Sequence, residues 1–596
     1  MDKQSLQEWG WIVIIILLLS ILIAFAAPFG RFIVNSVQNL LDGFKQKVED
    51  TTEEFQKPIE DEVLLRLGPG LYETNTTTMI YSWDEMIEMG MINADGSVVD
   101  GKEALLDGDL VISPTLTELQ MHSYNGCNKL TCVVIPGNIE SAGMYAFANC
   151  TELSRVVFDQ TGSLKTIGQE AFGNCKELKN IAIPSSVTAL GKVLFNGCTS
   201  LESLYIPANV NSMFVNIAPN CPNLKTLEVD ENNSVFHSKN NCIIETTEKR
   251  LFIACENSVI PEDGSVTIIG QMAYTGSNIE NVVIPEGITS IEYDAFRDCK
   301  NLKSISVPST VTEIEEYILT GTSSLESIVV NPSNAKYSSS GNCLIEKASS
   351  TLLAGCINSV IPTDGSVTSI ESAAFRNSKI KTVAIPASIT VIGMNAFENC
   401  SLLETVVFAE GLQTIKMLAF SDCQNLDEVI LPSSLTSIEP GAFGSCSNLK
   451  SLSVKAGNTT YYSVDNCIIQ TGTNALAVAC AGSKVPTDGS ITSIAMGACY
   501  GYPGTTFIVP EGAQSIGVAA FGYSETLETI TIPSSVTTLS NNALFGCKSL
   551  ATINYSGTVA EWNNITLSSG WNTDTGEYTI VCTDGTIAKD GTVTYN

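Results

Sequence analysis

The sequence predicts a repeat solenoid, mainly β, and three observations predict it. One short motif recurs at a fixed period along most of the chain. Three longer copies of it interrupt the array at regular intervals. Within each copy the apolar positions alternate, as a strand with one buried face requires.

The motif reads "IPEGITSIEYDAFRDCKNL" at residues 284–302. Counted from Pro136, Phe147 lies 11 residues on, Cys150 lies 14 on and Leu153 lies 17 on. The same offsets hold from Pro184, Pro285, Pro386 and Pro432. Pro207, Pro308, Pro510 and Pro533 begin copies with substitutions: Ala218 takes the aromatic place, and Thr322 and Ser524 take the cysteine place. Undisturbed copies are 23 residues apart, as between Pro184 and Pro207, and 15 copies can be counted.

In "LKSISVP" the residues Leu302, Ile305 and Val307 form one apolar set, and Pro308 ends the strand by removing a backbone donor. Ile288 and Ile291 supply a second apolar pair before the aromatic residue. A unit this short cannot bury such faces alone. Stacking buries them, each coil covering its neighbour. The period falls in the range of leucine-rich repeats. The expected fold is therefore a leucine-rich repeat array of 23-residue units over residues 113–555.

The longer copies contain "NNCIIETTEKRLFIAC", "GNCLIEKASSTLLAGC" and "DNCIIQTGTNALAVAC". Apolar runs on either side of a polar turn read as β-hairpins, near residues 231–260, 331–361 and 455–485. Cys242 and Cys255, Cys343 and Cys356, and Cys467 and Cys480 are each 13 apart.

Ahead of the array, residues 11–27 hold one polar residue, Ser20, in 17. As a helix they span ~26 Å, enough for a bilayer. Residues 1–28 read as an N-terminal transmembrane anchor, with Trp9 and Trp11 at the interface. A cleaved signal segment is the alternative, because Ala24, Phe25 and Ala26 fit a cleavage site. Phe29, Phe32, Ile33, Val37, Leu40, Leu41, Phe44 and Val48 then recur at helical spacing. Residues 29–57 read as an amphipathic stalk helix, residues 58–112 as a lead-in cap and residues 556–596 as a C-terminal capping module.

Ten of the 19 cysteines sit at the 14th offset, Cys299 among them. A metal site wants close pairs such as C-x-x-C, and none occurs. A catalytic cysteine wants a histidine, and the chain has only His122 and His237. Replacement by Thr322 and Ser524 argues against an essential bridge. The ladder cysteines read as reduced, buried packing groups with a weak hydrogen-bonding capacity. The three hairpin pairs leave two readings open, free thiols or a disulfide across each hairpin.

The chain carries 31 basic and 63 acidic residues, formally −32. That argues against nucleic acid, which needs a basic footprint, and against docking of the solenoid on anionic lipid. The Asp-Gly pairs at Asp95, Asp107, Asp263, Asp364, Asp488 and Asp584 are turn signals without a calcium-loop spacing. No phosphate loop, nucleophile elbow or cofactor motif stands in context, so no enzyme activity is expected. The exposed face of the strands remains as the candidate site. Its row two residues before the reference position of each copy, a proline in most of them, includes Val134, Val157, Tyr205, Val283, Val329, Val407, Ile430 and Ile508. Small apolar and hydroxyl groups there suit a protein or peptide better than a charged ligand, although β-branched residues also favour strands for their own sake.

The pattern I/L-P-x-x-V/I-x-x-I-x-x-x-A-F-x-x-C-x-x-L, over about residues 111–555, resembles the BspA-type leucine-rich repeat proteins of bacterial surfaces. The resemblance implies exposure at the cell surface and adhesion to host proteins or other cells. It defines no binding residues by position. The combined expectation is a membrane-anchored bacterial surface solenoid that binds a protein or glycan partner on a host or neighbouring cell. The alternative is a surface-layer or filament component that associates with copies of itself.

Overall fold

The computed structural model describes residues 70–72 and 81–596 of the chain. The expected anchor and stalk lie outside these residues. Among the described residues no helix is long and apolar enough to cross a membrane.

A regular coil contributes two strands. Ser304–Val307 pairs in parallel with Asn281–Val283 one coil before and with Ser327–Val330 one coil after. Its apolar set is buried, with Leu302, Ile305 and Val307 each at most 2% exposed. Ser290–Ile291 belongs to a second parallel sheet, paired with Ile268–Ile269 and Glu313–Ile314. The two sheets and the turns between them enclose the core, and the coil repeats because equivalent residues stack on one another. Phe375, Phe397, Phe420 and Phe443 form one such row, with ring centroids 4.7, 5.0 and 5.4 Å apart.

The third side of the coil is a run of turns whose sequence has a backbone cause. The residue before the ladder cysteine sits in the left-handed region in coil after coil, as at Asn149, Asn174, Asp298 and Asn399. Asn, Asp and Gly tolerate that conformation best. Neighbouring asparagines also join across coils, Asn149 Nδ2 donating to Asn125 Oδ1 at 2.9 Å and Asn174 Nδ2 to Asn149 Oδ1 at 3.0 Å.

The cysteine that follows is more than filler. Cys299 Sγ donates to the Tyr274 carbonyl of the preceding coil at 3.0 Å. Cys150, Cys175, Cys198, Cys221, Cys400, Cys423, Cys446 and Cys547 make the same bond at 3.0–3.3 Å. Ser524 Oγ does so with the Cys499 carbonyl at 3.1 Å. Thr322 turns instead to its own coil, reaching Leu319 O at 2.6 Å. All 19 cysteines are free and buried. Burial pushes the Cys299 thiol up to about 12.

The long copies form three-stranded antiparallel meanders: Phe236–Lys239, Cys242–Glu245 and Arg250–Ala254 in the first. The last strand rejoins the second parallel sheet through Ile268–Ile269. Each meander stands as a wall across the core. Ile243, Ile253 and Cys255 face the cluster that begins at Trp83, whereas Cys242, Ile244 and Leu251 face the next one. The other two meanders divide the core in the same way. The hairpin cysteines are free thiols in this arrangement. A bulge between Ile243 and Ile244 sets Cys242 opposite Ala254, so the two thiols point to opposite faces of the wall. Cys467 likewise pairs with Ala479.

An asparagine anchors each meander. Asn334 is 1% exposed. Its Nδ2 donates to Pro308 O and Val311 O at 2.8 and 2.9 Å, and its Oδ1 accepts from Lys336 N and Tyr337 N at 2.9 and 2.8 Å. Asn233 and Asn458 occupy the same place. On the turn side the coils before and after the wall touch directly, as where Asn220 N donates to Thr275 O at 2.9 Å. Ser82 and Glu85 close a capping box on the short helix Trp83–Glu88 ahead of the array, and Thr558 and Glu561 do so for Val559–Trp562 behind it.

Candidate functional site

The longer-strand sheet has one face on the core and one outward. Along Thr405–Phe408 the alternation is plain: Val406 and Phe408 are buried, and Val407 between them is 58% exposed. Register carries this outward position from coil to coil. Ala384 is opposite Val407, and Ile430 is opposite Ser453. Val283, Ser306 and Val329 form a second panel, and Ile508, Thr531 and Asn554 a third. The meanders separate the panels.

The structure therefore groups Val283, Val329, Val407, Ile430 and Ile508 as exposed aliphatic side chains on one kind of surface, all at least 43% exposed. It does not group Val134 and Val157 with them. These two are buried, in a small cluster with Val111 and Cys132 that is separate from the main core. Val111 is opposite Val134, and Val134 is opposite Val157, so the three valines form one continuous row. Neither valine offers a surface to a partner.

Tyr205 differs again. It is half-buried, and its hydroxyl donates to Asp230 Oδ2 at 2.7 Å. Hydrogen bonds from Asn232 N, then from Tyr205, hold the Asp230 carboxyl below its ordinary range. Tyr205 lies where the sheet fails. Arg155–Phe158 ends one run of pairing and Ser203–Ile206 begins the next, while residues 180–183 between them join neither. Among the described residues this is the one break of that sheet not made by a meander. Its source is legible in the spacing, because Cys150 and Cys175 are 25 residues apart where the period is 23. The extra residues form a turn at Asp159, whose Oδ1 accepts from Thr161 N and Oγ1 at 2.9 and 2.7 Å. Gln160 then spans the gap, Nε2 donating to Phe158 O at 3.3 Å and Ala182 O at 3.2 Å. The result is a cleft of about 680 Å³. Asn180, Glu202, Lys225, Glu228 and Asp230 line it beside the apolar Ile181, Ile183 and Leu204; the repeat pattern places Glu228 and Asn180 on the outward rows, and it does not single out Glu202, Lys225 or Asp230.

The remaining chemistry is local. Asp95, Asp263, Asp364 and Asp488 each accept a hydrogen bond from the backbone of a serine two residues on. Among the described residues no group of three His, Cys, Asp or Glu is placed to hold a metal ion. His122 stacks on Tyr145 with centroids 4.8 Å apart, and His237 Nδ1 lies 2.9 Å from Thr246 Oγ1. Ion pairs join adjacent coils, Lys303 to Glu280 ahead of the longer strands and Lys548 to Glu525 just after the ladder position, at 2.8 Å each. Exposed pairs of this kind are worth at most ~1 kcal/mol.

A family model described as the BspA type leucine rich repeat region matches in six copies, over residues 117–245, 245–348, 353–473 and 492–575. The chain is similar to the solved structure of a leucine-rich repeat protein from Eubacterium ventriosum, at 20% identity over 59% of this chain and 86% of that one, with a TM-score of 0.39. A leucine rich cell surface protein from Faecalibacterium prausnitzii is similar at 22% identity over 82% of this chain and 98% of that one, with a TM-score of 0.34. The pneumococcal vaccine antigen PcpA is similar at 15% identity over 80% and 89%, with a TM-score of 0.27. No curated protein matches the chain.

Proposed function

The chain belongs to the BspA-type leucine-rich repeat family, and from that premise we propose that it is a bacterial surface protein whose solenoid binds a macromolecular partner. The partner is a protein or glycan on a host or neighbouring cell. The solenoid acts by binding and not by catalysis. The exposed aliphatic row carries this reading: Val283, Val407 and Ile508 are 74, 58 and 60% exposed, on strands whose alternate residues are locked in the core. Such a surface is apolar, rigid and repeated. Binding to it costs little conformational entropy, because the strands are already ordered.

The apolar segment at residues 11–27 anchors the chain in its own membrane in this reading, with the repeats outside. Proteinase added to intact cells removes the repeats if they are outside and spares them if they are not.

The test of the binding face is the triple substitution Val283→Lys, Val407→Lys and Ile508→Lys. Exposed strand positions accept lysine without unfolding the core. Loss of binding to intact epithelial or bacterial cells, at an unchanged melting temperature, supports the reading. Retained binding sinks it. Ordered polymers of the unaltered chain in light scattering replace it with self-assembly.

A further inference from the structure

The turn side of the solenoid carries a second exposed row, and packing does not explain its composition. Met121, Met144, Met394, Met417 and Met496 all stand at one place in the repeat, two residues beyond a strand of the second sheet. They are 37–56% exposed, whereas the methionines that pack, Met86, Met91 and Met213, are at most 7% exposed. These five are a large share of the chain's 12 methionines. Leucine and isoleucine fill the core positions of the same coils, yet neither occurs at this place in any of the 15 copies. A site that merely tolerated an apolar group would take them as readily. What sets the row apart is the thioether.

The same place accepts polar groups. Lys192, Gln271 and Glu316 occupy it in other coils and are exposed there. The main chain is held without help from the side chain, Ala373 N donating to Met394 O at 2.9 Å and Asn395 N to Met417 O at 3.1 Å. Conversion of these thioethers to sulfoxides makes an apolar side chain polar and therefore leaves the coil intact. The same conversion at Met86 puts a polar group into the core.

The chain also holds what such a row would spare. All 19 thiols are buried. Oxidation of Cys299 removes the donor to Tyr274 O and leaves a polar acid in a closed ladder. A thiol attacks an oxidant as the thiolate, and burial holds the ladder thiols protonated. A thioether needs no deprotonation, so at neutral pH the exposed row reacts first.

We propose that this row is an oxidant trap, in which Met121, Met144, Met394, Met417 and Met496 take up hypohalous acid and so preserve the thiol ladder. In each event the thioether sulfur gives up two electrons and gains one oxygen. The hypohalous acid is reduced to halide, and one proton is released. No binding partner takes part, so the trap stands or falls separately from the aliphatic row.

The test treats the full-length chain in detergent with rising doses of hypochlorous acid at neutral pH and reads each residue by peptide mass spectrometry. The five row methionines become sulfoxides before Met86, Met91, Met213 or any thiol, and Met89, exposed ahead of the array, reacts alongside them. The melting temperature of the oxidised chain stays unchanged, and methionine sulfoxide reductase restores the original masses. A variant with all five changed to leucine (Met121→Leu, Met144→Leu, Met394→Leu, Met417→Leu and Met496→Leu) keeps its melting temperature and loses thiols at a dose lower by about five equivalents per chain, one for each missing thioether. The inference is overturned if thiols or packed methionines oxidise at the same dose as the row, if sulfoxide formation unfolds the solenoid, or if the leucine variant loses its thiols no earlier than the unaltered chain.

Discussion

Replacing Cys299 tests the account of the ladder most sharply, because two substitutions must rank in an order that size alone does not give. Cys299 is fully buried, and its thiol donates to Tyr274 O at 3.0 Å. Cys299→Ala removes a group of roughly methylene size, for ~1 kcal/mol of lost transfer and cavity terms. It also removes the donor. Tyr274 O keeps the Ser277 N–H at 2.9 Å and is not orphaned, so the lost bond adds only ~0.5 kcal/mol. The sum is about 1.5 kcal/mol. Cys299→Ser keeps the donor, and Ser524 already holds a hydroxyl 3.1 Å from the equivalent carbonyl. Its cost stays below ~1 kcal/mol, the satisfied hydroxyl offsetting part of its own desolvation. Repeat arrays need not unfold in one step. The assay is therefore native-state hydrogen exchange at the amides of residues 296–302, which reads the local opening free energy. If serine costs more than alanine, the position is a mere apolar slot and the hydrogen-bonded ladder is wrong.

Three further outcomes follow from the same geometry. Asn334→Ala strips four hydrogen bonds from a buried anchor and destabilises the second meander by roughly 4 kcal/mol, read by exchange at residues 337–346; a loss under ~1 kcal/mol contradicts the anchor. Burial holds the Cys299 and Cys446 thiols at about 12, whereas a thiol in the unfolded chain titrates near ~8.5. The native state therefore keeps protons that the unfolded state releases. Stability is full below that lower value and falls as pH rises towards 12, by ~1.4 kcal/mol per pH unit for each such thiol. Urea midpoints flat between pH 9 and pH 10.5 contradict it. Finally, the native chain shows almost no thiol to a colorimetric reagent and all 19 once denatured without reductant; a shortfall in pairs means that disulfides exist.

The long strands were legible because burial writes itself into alternation: Ile305 and Val307 inward, Ser304 and Ser306 less so. Two-residue strands such as Ser290–Ile291 are too short to alternate, so the second sheet was visible only as an unexplained apolar pair. The spacing of the hairpin cysteines left free thiols and a disulfide both open, and it could not show the bulged residue that sets Cys242 opposite Ala254 and not opposite Cys255. Val134 occupies the same repeat position as Val407, but its row mates are Val111 and Val157 and it lies in a closed cluster. Position within a repeat does not report what lies over it. Asn334 looked like any loop asparagine, because its four partners are distributed over two coils. The cleft was present in the sequence only as two surplus residues between Cys150 and Cys175.

In the proposed reading the outward aliphatic row, and not another surface of the solenoid, meets the partner. Site-specific photo-crosslinking on living cells tests it most directly. A benzoylphenylalanine replaces Val407 in one variant and Met394, 41% exposed on the turn side, in another. The account predicts a discrete crosslinked macromolecule from position 407 and none from position 394. Crosslinks from 394 alone, or from neither position in cells that the unaltered chain demonstrably binds, contradict it.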